Sequence, residues 1–404
     1  MIVCKFGGSS LSSKKALFKV KSILDANKER NIIIASAIGK RNPRDTKLTD
    51  LLEIAIEERK HSNFNQIFER LKKKMIDFAS ELNINPHLIL NFDTFKKQIK
   101  SLSVSKDYIL SRGEYFTARV CAMFLNAEFI DAKDIIKRDS TGRIDLLITK
   151  SNLKSLKPDK RYVIPGFYCS NASNEISLLG RGGSDTTGAI IANCINANLY
   201  ENYSDVNGLL SIDNKLSLHS KTIKQVNKGQ LLNCVIGGAS VYCLGAIPFT
   251  NTKTLIKNTF NNEHGYTIID KKSSFYFFNS PQKYIVITNK KKSLKSLFIS
   301  GILNYFTKHK ISISEAIYSN GNLYLSLKEN TCFNYVNGVK LTLYGIYSNL
   351  PLNSFKELCK SKDIEMRVIK LPRPALKTNI FFFGKINEEF INEIIYKLEN
   401  KDTL

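Results

Sequence analysis

Apolar positions divide the chain into strand-sized and helix-sized stretches from its first residues onward. "MIVCKF" is a short apolar run broken by "GGSS", and "KKALFKVKSILDANK" follows with apolar residues at helical spacing. That pattern predicts a strand, a tight loop and a helix. "NIIIASAIG" is a second strand with the look of full burial, as expected of a parallel sheet covered by helices. From Asp50 to about Leu125 the periodicity is mainly helical, in "LTDLLEIAIEERK", "FNQIFERLKKKMIDFASELN" and "EYFTARVCAMFLN". "AEFIDA" and "RYVIPGF" return to strands, "TTGAIIANCINA" is a helix, and "NLYENYSDVNGLL" is a strand entering a glycine turn. The class is α/β.

After about Asp270 the character changes. "KYIVITN" and "NLYLSLKEN" read as strands around an amphipathic helix, "SLKSLFISGILNYFTKHK". A similar unit follows: strand "GVKLTLYGIY", helix "PLNSFKELCKSK", strands "EMRVIKL" and "NIFFFGKI", and helix "NEEFINEIIYKLEN". Two small βαββαβ modules of α+β type fit this length. The expected division is residues 1–270, 271–335 and 336–404.

A chain of 404 residues suits two or three domains, and 43% hydrophobic with 24% charged residues is a globular mix. The net charge of +24 raises the question of nucleic acid or an acidic membrane. The lysines are scattered, however, and no block of like charge forms, so neither partner is expected. A basic balance favours anionic small molecules. The eight cysteines include no C-x-x-C and no histidine at metal spacing, so free thiols are expected and no metal-ligating residue is assigned. No apolar run reaches about eighteen residues and the N-terminus lacks a leader pattern, giving a cytoplasmic expectation.

Two glycine-rich loops carry the chemistry. Neither is G-x-x-x-x-G-K-[ST] nor G-x-G-x-x-G. Both present backbone N–H groups unshielded by side chains where a helix begins, which is an anion site. In "KFGGSS", Lys5 at the strand end aims a compact charge where Gly7, Gly8 and Ser9 offer donors; read alone, the stretch is also an ordinary turn. In "GRGGSDTT", Ser184, Asp185, Thr186 and Thr187 all stand where an N-cap belongs. Capping accounts for one of them and leaves Arg181, whose guanidinium beside bare backbone suits a carboxylate. Ser111 and Glu114 in "SRGEY" stand at capping-box spacing, which leaves Glu114 either a helix cap or a site residue. "YSDVNG" is either a turn held by the Asp205 side chain or part of a site.

Taken in order, "KFGGSS", "IASAIGK", "SRGEY", "VIPGFY", "GRGGSDTTGA" and "YSDVNG" resemble the aspartate kinases of the amino acid kinase family over roughly the first 270 residues. The remainder resembles their paired ACT modules. The resemblance implies a three-layer amino acid kinase-like fold with a mainly parallel central sheet. It also implies ATP- and Mg²⁺-dependent phosphorylation of the L-aspartate side chain, at the head of lysine, threonine and methionine biosynthesis. By matching position, Lys5 and Asp185 are catalytic, and Ser36, Thr49, Glu114, Arg181 and Ser184 hold aspartate. Gly7, Gly8, Ser9, Gly183, Ser204, Asp205, Asp213 and Lys215 meet the nucleotide. A homo-oligomer, dimer or higher, with lysine or threonine as effector at the ACT-like modules, is also implied.

The chain departs from the family pattern at several positions. Leu210 replaces a tyrosine, Lys215 an arginine and Ser240 a nucleotide-side lysine, with Lys253 and Lys257 as candidates to compensate. The stretch "GKRNPRDTKLTDLLE" ahead of Thr49 is longer than usual. Two other readings stand beside the first: a catalytically weakened regulatory relative that binds an amino acid, and an amino acid kinase with another carboxylate acceptor.

Overall fold

The computed structural model describes residues 1–212, 217, 219–261, 265–271, 273, 275–278, 282–288, 299, 302, 313–319, 322–327, 335–344, 352–370, 377–384 and 386–399. Two compact units divide the chain. The first comprises Met1–Leu209, Thr222–Ile236 and Ser240–Lys272; the second comprises Leu210–Lys221, Gly237–Ala239 and Ser273–Leu404.

In the first unit the strands are β1 (Ile2–Phe6), β2 (Arg30–Ala35), β3 (Glu128–Phe129), β4 (Tyr162–Pro165), β5 (Tyr168–Ser170), β6 (Ile176–Leu178), β7 (Leu199–Ser204), β8 (Gln225–Val226), β9 (Thr254–Asn258) and β10 (Thr267–Ile269). The helices are α1 (Lys14–Asp25), α2 (Leu48–Glu57), α3 (Phe64–Ser80), α4 (Phe92–Lys100), α5 (Lys106–Leu125), α6 (Ala132–Ile135), α7 (Leu146–Asn152), α8 (Gly183–Cys194) and α9 (Lys228–Ile236). Eight strands form one sheet in the order β3-β4-β2-β1-β7-β9-β10-β8, with only the β9–β10 pair antiparallel, while β5 and β6 form a separate hairpin.

Strand alternation assigns the two faces of this sheet. Cys4 and Phe6 of β1, Ile33 and Ala35 of β2, Val163 of β4 and Tyr203 of β7 enter one large core with Leu17, Val20, Leu52, Phe68, Phe95 and Phe116 from the helices α1 to α5. Phe6 and Tyr203 stack there with ring centroids 4.8 Å apart. Lys5 and Asn202 point to the opposite face, where α8 lies. Three layers result, as the resemblance implies. Parallel pairing also brings the C-terminal ends of β4, β2, β1, β7 and β9 side by side, with Ala35 level with both Phe6 and Pro165, and Ser204 level with Asn258. Ligands of open parallel sheets bind at that edge.

The second unit holds β11 (Phe275–Phe278), β12 (Gln282–Thr288), β13 (Ile313–Ser319), β14 (Asn322–Leu327), β15 (Tyr335–Tyr344), α10 (Leu352–Ser361), β16 (Glu365–Lys370), β17 (Lys377–Phe383) and α11 (Glu388–Glu399). One antiparallel sheet, β13-β14-β12-β15-β17-β16 with β11 on β15, takes in strands of both expected modules. Phe355, Phe382, Phe390 and Ile394 form its core with Ile212 and Phe278. The helix expected over "SLKSLFISGILNYFTKHK" lies almost wholly outside the described residues. Among the described residues no helix is long and apolar enough to cross a membrane. The described cysteines are free thiols, and all but Cys243 are buried.

Candidate active site

The loop after β1 is shaped by close backbone contact. Gly7 donates its N–H to the Tyr203 carbonyl at 3.1 Å, and Gly8 accepts from the Gly39 N–H at 2.9 Å. A Cβ on Gly8 would stand 2.8 Å from the Ala37 carbonyl oxygen, and one on Gly39 only 2.4 Å from the Gly8 carbonyl carbon. Gly8 and Gly39 are required because two main chains touch there, a reason for glycine beyond that of an ordinary turn. Ser9 begins a single 3₁₀ turn, and the next residue, Ser10, shares a 2.6 Å hydroxyl contact with Thr259 just past β9. The loops after β1, β2, β7 and β9 are thus stitched together.

Lys5 reaches from β1 to Asp185 in the first turn of α8, Nζ to Oδ1 at 2.6 Å, with both side chains 11% exposed. Asn202 of β7 completes a triangle: its Oδ1 accepts from Lys5 Nζ at 3.4 Å and its Nδ2 donates to Asp185 Oδ1 at 3.1 Å. Tyr200, two residues earlier on the same face, donates its hydroxyl to the Asp185 carbonyl at 3.3 Å. Gly188 gives that ring room, since a Cβ there would lie 2.4 Å from the Tyr200 oxygen.

Capping does not account for the hydroxyl-rich start of α8. The N-cap is Gly182, at φ 72°, and no side chain caps the helix. Thr187 instead accepts from the Phe167 N–H at 3.1 Å and donates to the Gly183 carbonyl at 3.0 Å. Ser184 is buried against Gly166, where a Cβ would come within 2.6 Å of the Ser184 hydroxyl, and Gly183 lies equally close to Phe167, with 2.9 Å from its missing Cβ to the Phe167 Cα. Arg181 is exposed at the loop's outer edge, its carbonyl accepting from the Cys243 thiol at 2.9 Å.

The capping-box reading of Ser111 and Glu114 is overturned. Helix α5 starts five residues earlier, with Ser105 as its N-cap, and Ser111 returns its hydroxyl to the Tyr108 carbonyl. Glu114 is 4% exposed and takes the Ala37 N–H on Oε1 at 3.2 Å, while Oε2 has no hydrogen-bond partner among the described residues. Burial pushes its carboxyl up to about 8 against the pull of the Ala37 amide. A buried carboxyl with one bare oxygen at the strand-end edge awaits a cation or donor. Ser36, half-buried, donates its N–H to the Phe6 carbonyl, and Thr49 sits half-buried in the first turn of α2.

At the end of β7 the turn is held by Ser204, whose hydroxyl accepts the Val206 N–H at 3.2 Å, in place of the expected Asp205 side chain. Asp205 is exposed, and its carbonyl accepts from Asn258. Ser240 is exposed. Lys257 does not compensate for it. Its ammonium binds Glu201 Oε1 at 3.1 Å on the α1 side of the sheet, across from Lys5. Glu201 there also binds Arg30 at 2.6 and 3.1 Å, the Tyr203 hydroxyl at 3.1 Å and the Cys4 thiol at 3.5 Å. Asp213 and Lys215 lie outside the described residues.

Sequence reasoning missed Asn202 as a site residue. Its signal was period-two alternation, which puts it level with Lys5 on the adjacent parallel strand. Gly39, Gly166 and Phe167 lay inside quoted motifs, but only the fold reveals them as walls against Gly8, Ser184 and Gly183.

Residues 1–257 match the model described as "Amino acid kinase family". Aspartokinase 3 of Bacillus subtilis is 29% identical over 68% of this chain and 64% of its own, so the chain spans just under two thirds of that relative's length. An aspartokinase of Rickettsia bellii is 28% identical over 63% of this chain and 67% of its own. The aspartate kinase structure of Clostridium acetobutylicum superposes with a TM-score of 0.80 at 26% identity, covering 99% of this chain and 98% of that one. That of E. coli aspartokinase III with lysine and aspartate reaches 0.78 at 16% identity over 98% and 99%, a likeness of fold.

Proposed function

We propose, from the premise that this chain belongs to the amino acid kinase family, that it transfers the γ-phosphoryl group of ATP to the side-chain carboxylate of L-aspartate. The products are 4-phospho-L-aspartate and ADP. The observation that carries the reading is the Lys5–Asp185–Asn202 triangle, set beside two glycine-lined loops at the C-terminal edge of a parallel sheet. The likeness to aspartate kinases across both units supports aspartate as the acceptor.

The acceptor carboxylate is ionised at neutral pH, with a side-chain pKa of about 3.9. It attacks the γ-phosphorus as the bond to the ADP oxygen breaks, and no base has to remove a proton. The protein's task is to align two anions and offset charge on the transferred oxygens. Lys5 supplies a positive charge held by Asp185 and Asn202. The N–H groups of Gly8 and Ser9, with Gly7, Gly183, Ser204 and Asp205, line the nucleotide side, the Gly7 N–H itself being taken by the Tyr203 carbonyl; Asp213 and Lys215 are assigned to it by motif position. Arg181 and Ser184 hold carboxylates of the acceptor, Ser36 and Thr49 its polar groups, and the bare oxygen of Glu114 its ammonium.

The donor set fits Mg²⁺, which takes one or two carboxylates with substrate phosphates. Asp185 is the buried carboxylate beside Lys5, and Lys5 and Asn202 both hold its Oδ1. Bound there, Mg²⁺ would neutralise charge on the phosphate oxygens. Residues 271–335 and 336–404 are assigned as two regulatory modules for an amino acid effector, lysine or threonine, in a cytoplasmic homo-oligomer. A coupled ADP-release assay over aspartate, glutamate and their analogues, with hydroxylamine trapping the acyl phosphate, tests the reading. Aspartate-dependent hydroxamate is expected. ADP release with another acid alone moves the acceptor, and none with any acid overturns kinase activity.

A further inference from the structure

The basic stretch ahead of Thr49 builds a second concavity in the first unit, apart from the triangle of Lys5. Residues 40–47 form a mostly exposed loop between the Gly39 contact and α2, latched to α3 at two points. Asp45 Oδ2 accepts from Lys74 at 2.6 Å and from the Arg41 N–H at 2.8 Å, and the Arg41 guanidinium meets Glu81 just after α3 at 2.9 Å. Lys74 is 8% exposed, so this latch is buried at its root. Between loop and helix lies a cavity of about 230 Å³, with the buried Leu51 of α2 in its wall.

Five cations, Arg41, Arg44, Arg70, Lys73 and Lys74, line it against the carboxylates of Asp45 and Asp77. Both carboxylates are already matched, Asp45 by Lys74 and Asp77 by Lys73 at 3.4 Å. Arg44 from the loop and Arg70 from α3 have no carboxylate partner among the described residues. Elsewhere the lysines of this chain are dispersed; here two exposed arginines without a carboxylate partner face one hollow, where an anion can offset their charge. Guanidinium forks suit tetrahedral oxyanions, which they meet with paired hydrogen bonds. The volume is below the roughly 300–1,000 Å³ of sites for drug-sized ligands, a size that suits a small anion.

We propose that this hollow binds a small phosphate-class polyanion, pyrophosphate or a short phosphorylated metabolite, bridging Arg44 and Arg70. Bridging ties the loop to α3. The loop ends where Leu48 donates its N–H to the Ile38 carbonyl at 3.1 Å, so occupancy steadies Thr49, and with it the acceptor acid. This last link rests on the kinase reading; the site itself does not.

Titration calorimetry with pyrophosphate, on the full chain saturated with a non-hydrolysable ATP analogue, tests both parts. One site per chain is expected, with citrate at least about tenfold weaker, and Arg44→Gln/Arg70→Gln lowering pyrophosphate affinity at least about tenfold. Lys106→Gln/Lys150→Gln, with the same charge change at exposed positions, leaves it within about twofold. No binding, equal citrate affinity, or equal loss in both double variants overturns the site. Pyrophosphate is expected to tighten aspartate binding at least about fivefold in the wild type and not in the arginine variant. Unchanged aspartate affinity overturns the coupling. Absence of aspartate binding under all conditions instead counts against the kinase reading and leaves the pyrophosphate measurement standing.

Discussion

Lys5 and Asp185 are 180 residues apart in sequence and 2.6 Å apart in space, joined across the sheet-to-helix junction with Asn202 touching both. Neither side chain can move without releasing the other. Asp185→Asn keeps the shape and removes the charge that fixes the lysine. The expected result is a fall in kcat of about 10²–10³-fold, with a thermal midpoint close to wild type. Steady-state kinetics beside a melting curve measure both.

Glu114 provides a pH handle. Its folded carboxyl titrates near 8 against 4.5 for an unconstrained side chain, because burial disfavours the charge. Between those values the folded protein keeps a proton that the unfolded chain releases, so this group's contribution to stability falls as pH rises through that window. Glu114→Gln removes the slope. The melting temperature of the variant relative to wild type should therefore climb from pH 5 to pH 8. Aspartate binding at pH 7 should release protons in the wild type and not in the variant, as read by calorimetry in buffers of different ionisation enthalpy.

Gly7, after β1, and Gly39, after β2, differ in what an added methyl meets. At Gly7 the nearest neighbour is the Tyr203 carbonyl at 3.6 Å, an ordinary contact, whereas at Gly39 it is Gly8 backbone at 2.4 Å. Gly7→Ala is expected within about 0.5 kcal/mol of wild type, and Gly39→Ala to lose about 1–3 kcal/mol with a raised KM for ATP. Chemical denaturation and ATP titration rank the two.

Glu201 holds the other face together. Burial alone would raise its carboxyl, but the hydrogen bond from Arg30 and the charges of Lys257 and Arg30 outweigh it and hold it below the ordinary value. Its stabilisation is thus present at neutral pH and lost on acidification through that lowered value. Glu201→Gln leaves two cations facing a neutral amide and should cost about 3–5 kcal/mol. Turnover per folded molecule should change little, since the cluster is across the sheet from Lys5. Urea melts at pH 7 and pH 3 compare the variant with wild type, and the gap should shrink at the lower pH.

The parallel strands, the helices α2 to α5 and the order of the site motifs were legible because hydrophobic period and glycine placement are local signals. Asn202 was not, because its role depends on a register between β1 and β7, strands almost two hundred residues apart. Glu114 was ambiguous for a related reason. Ser-x-x-Glu is a cap only at a helix start, and the start was set by Ser105, earlier than the motif. Lys257 was misjudged because charge alone does not reveal which face of a sheet a side chain takes.

Cys4 and Lys5 are consecutive residues of β1 with unrelated neighbours: the thiol lies against Glu201 in the core, the ammonium against Asp185 on the α8 side of the sheet. The strand therefore has a reading frame of its own. Losing one residue from "IVCKF" would exchange the audiences of the two side chains, sending the lysine into a cluster already crowded with Arg30 and Lys257 and a thiol toward Asp185 and Asn202. Substitutions on one face can accumulate without touching the other, but a single deletion damages both at once.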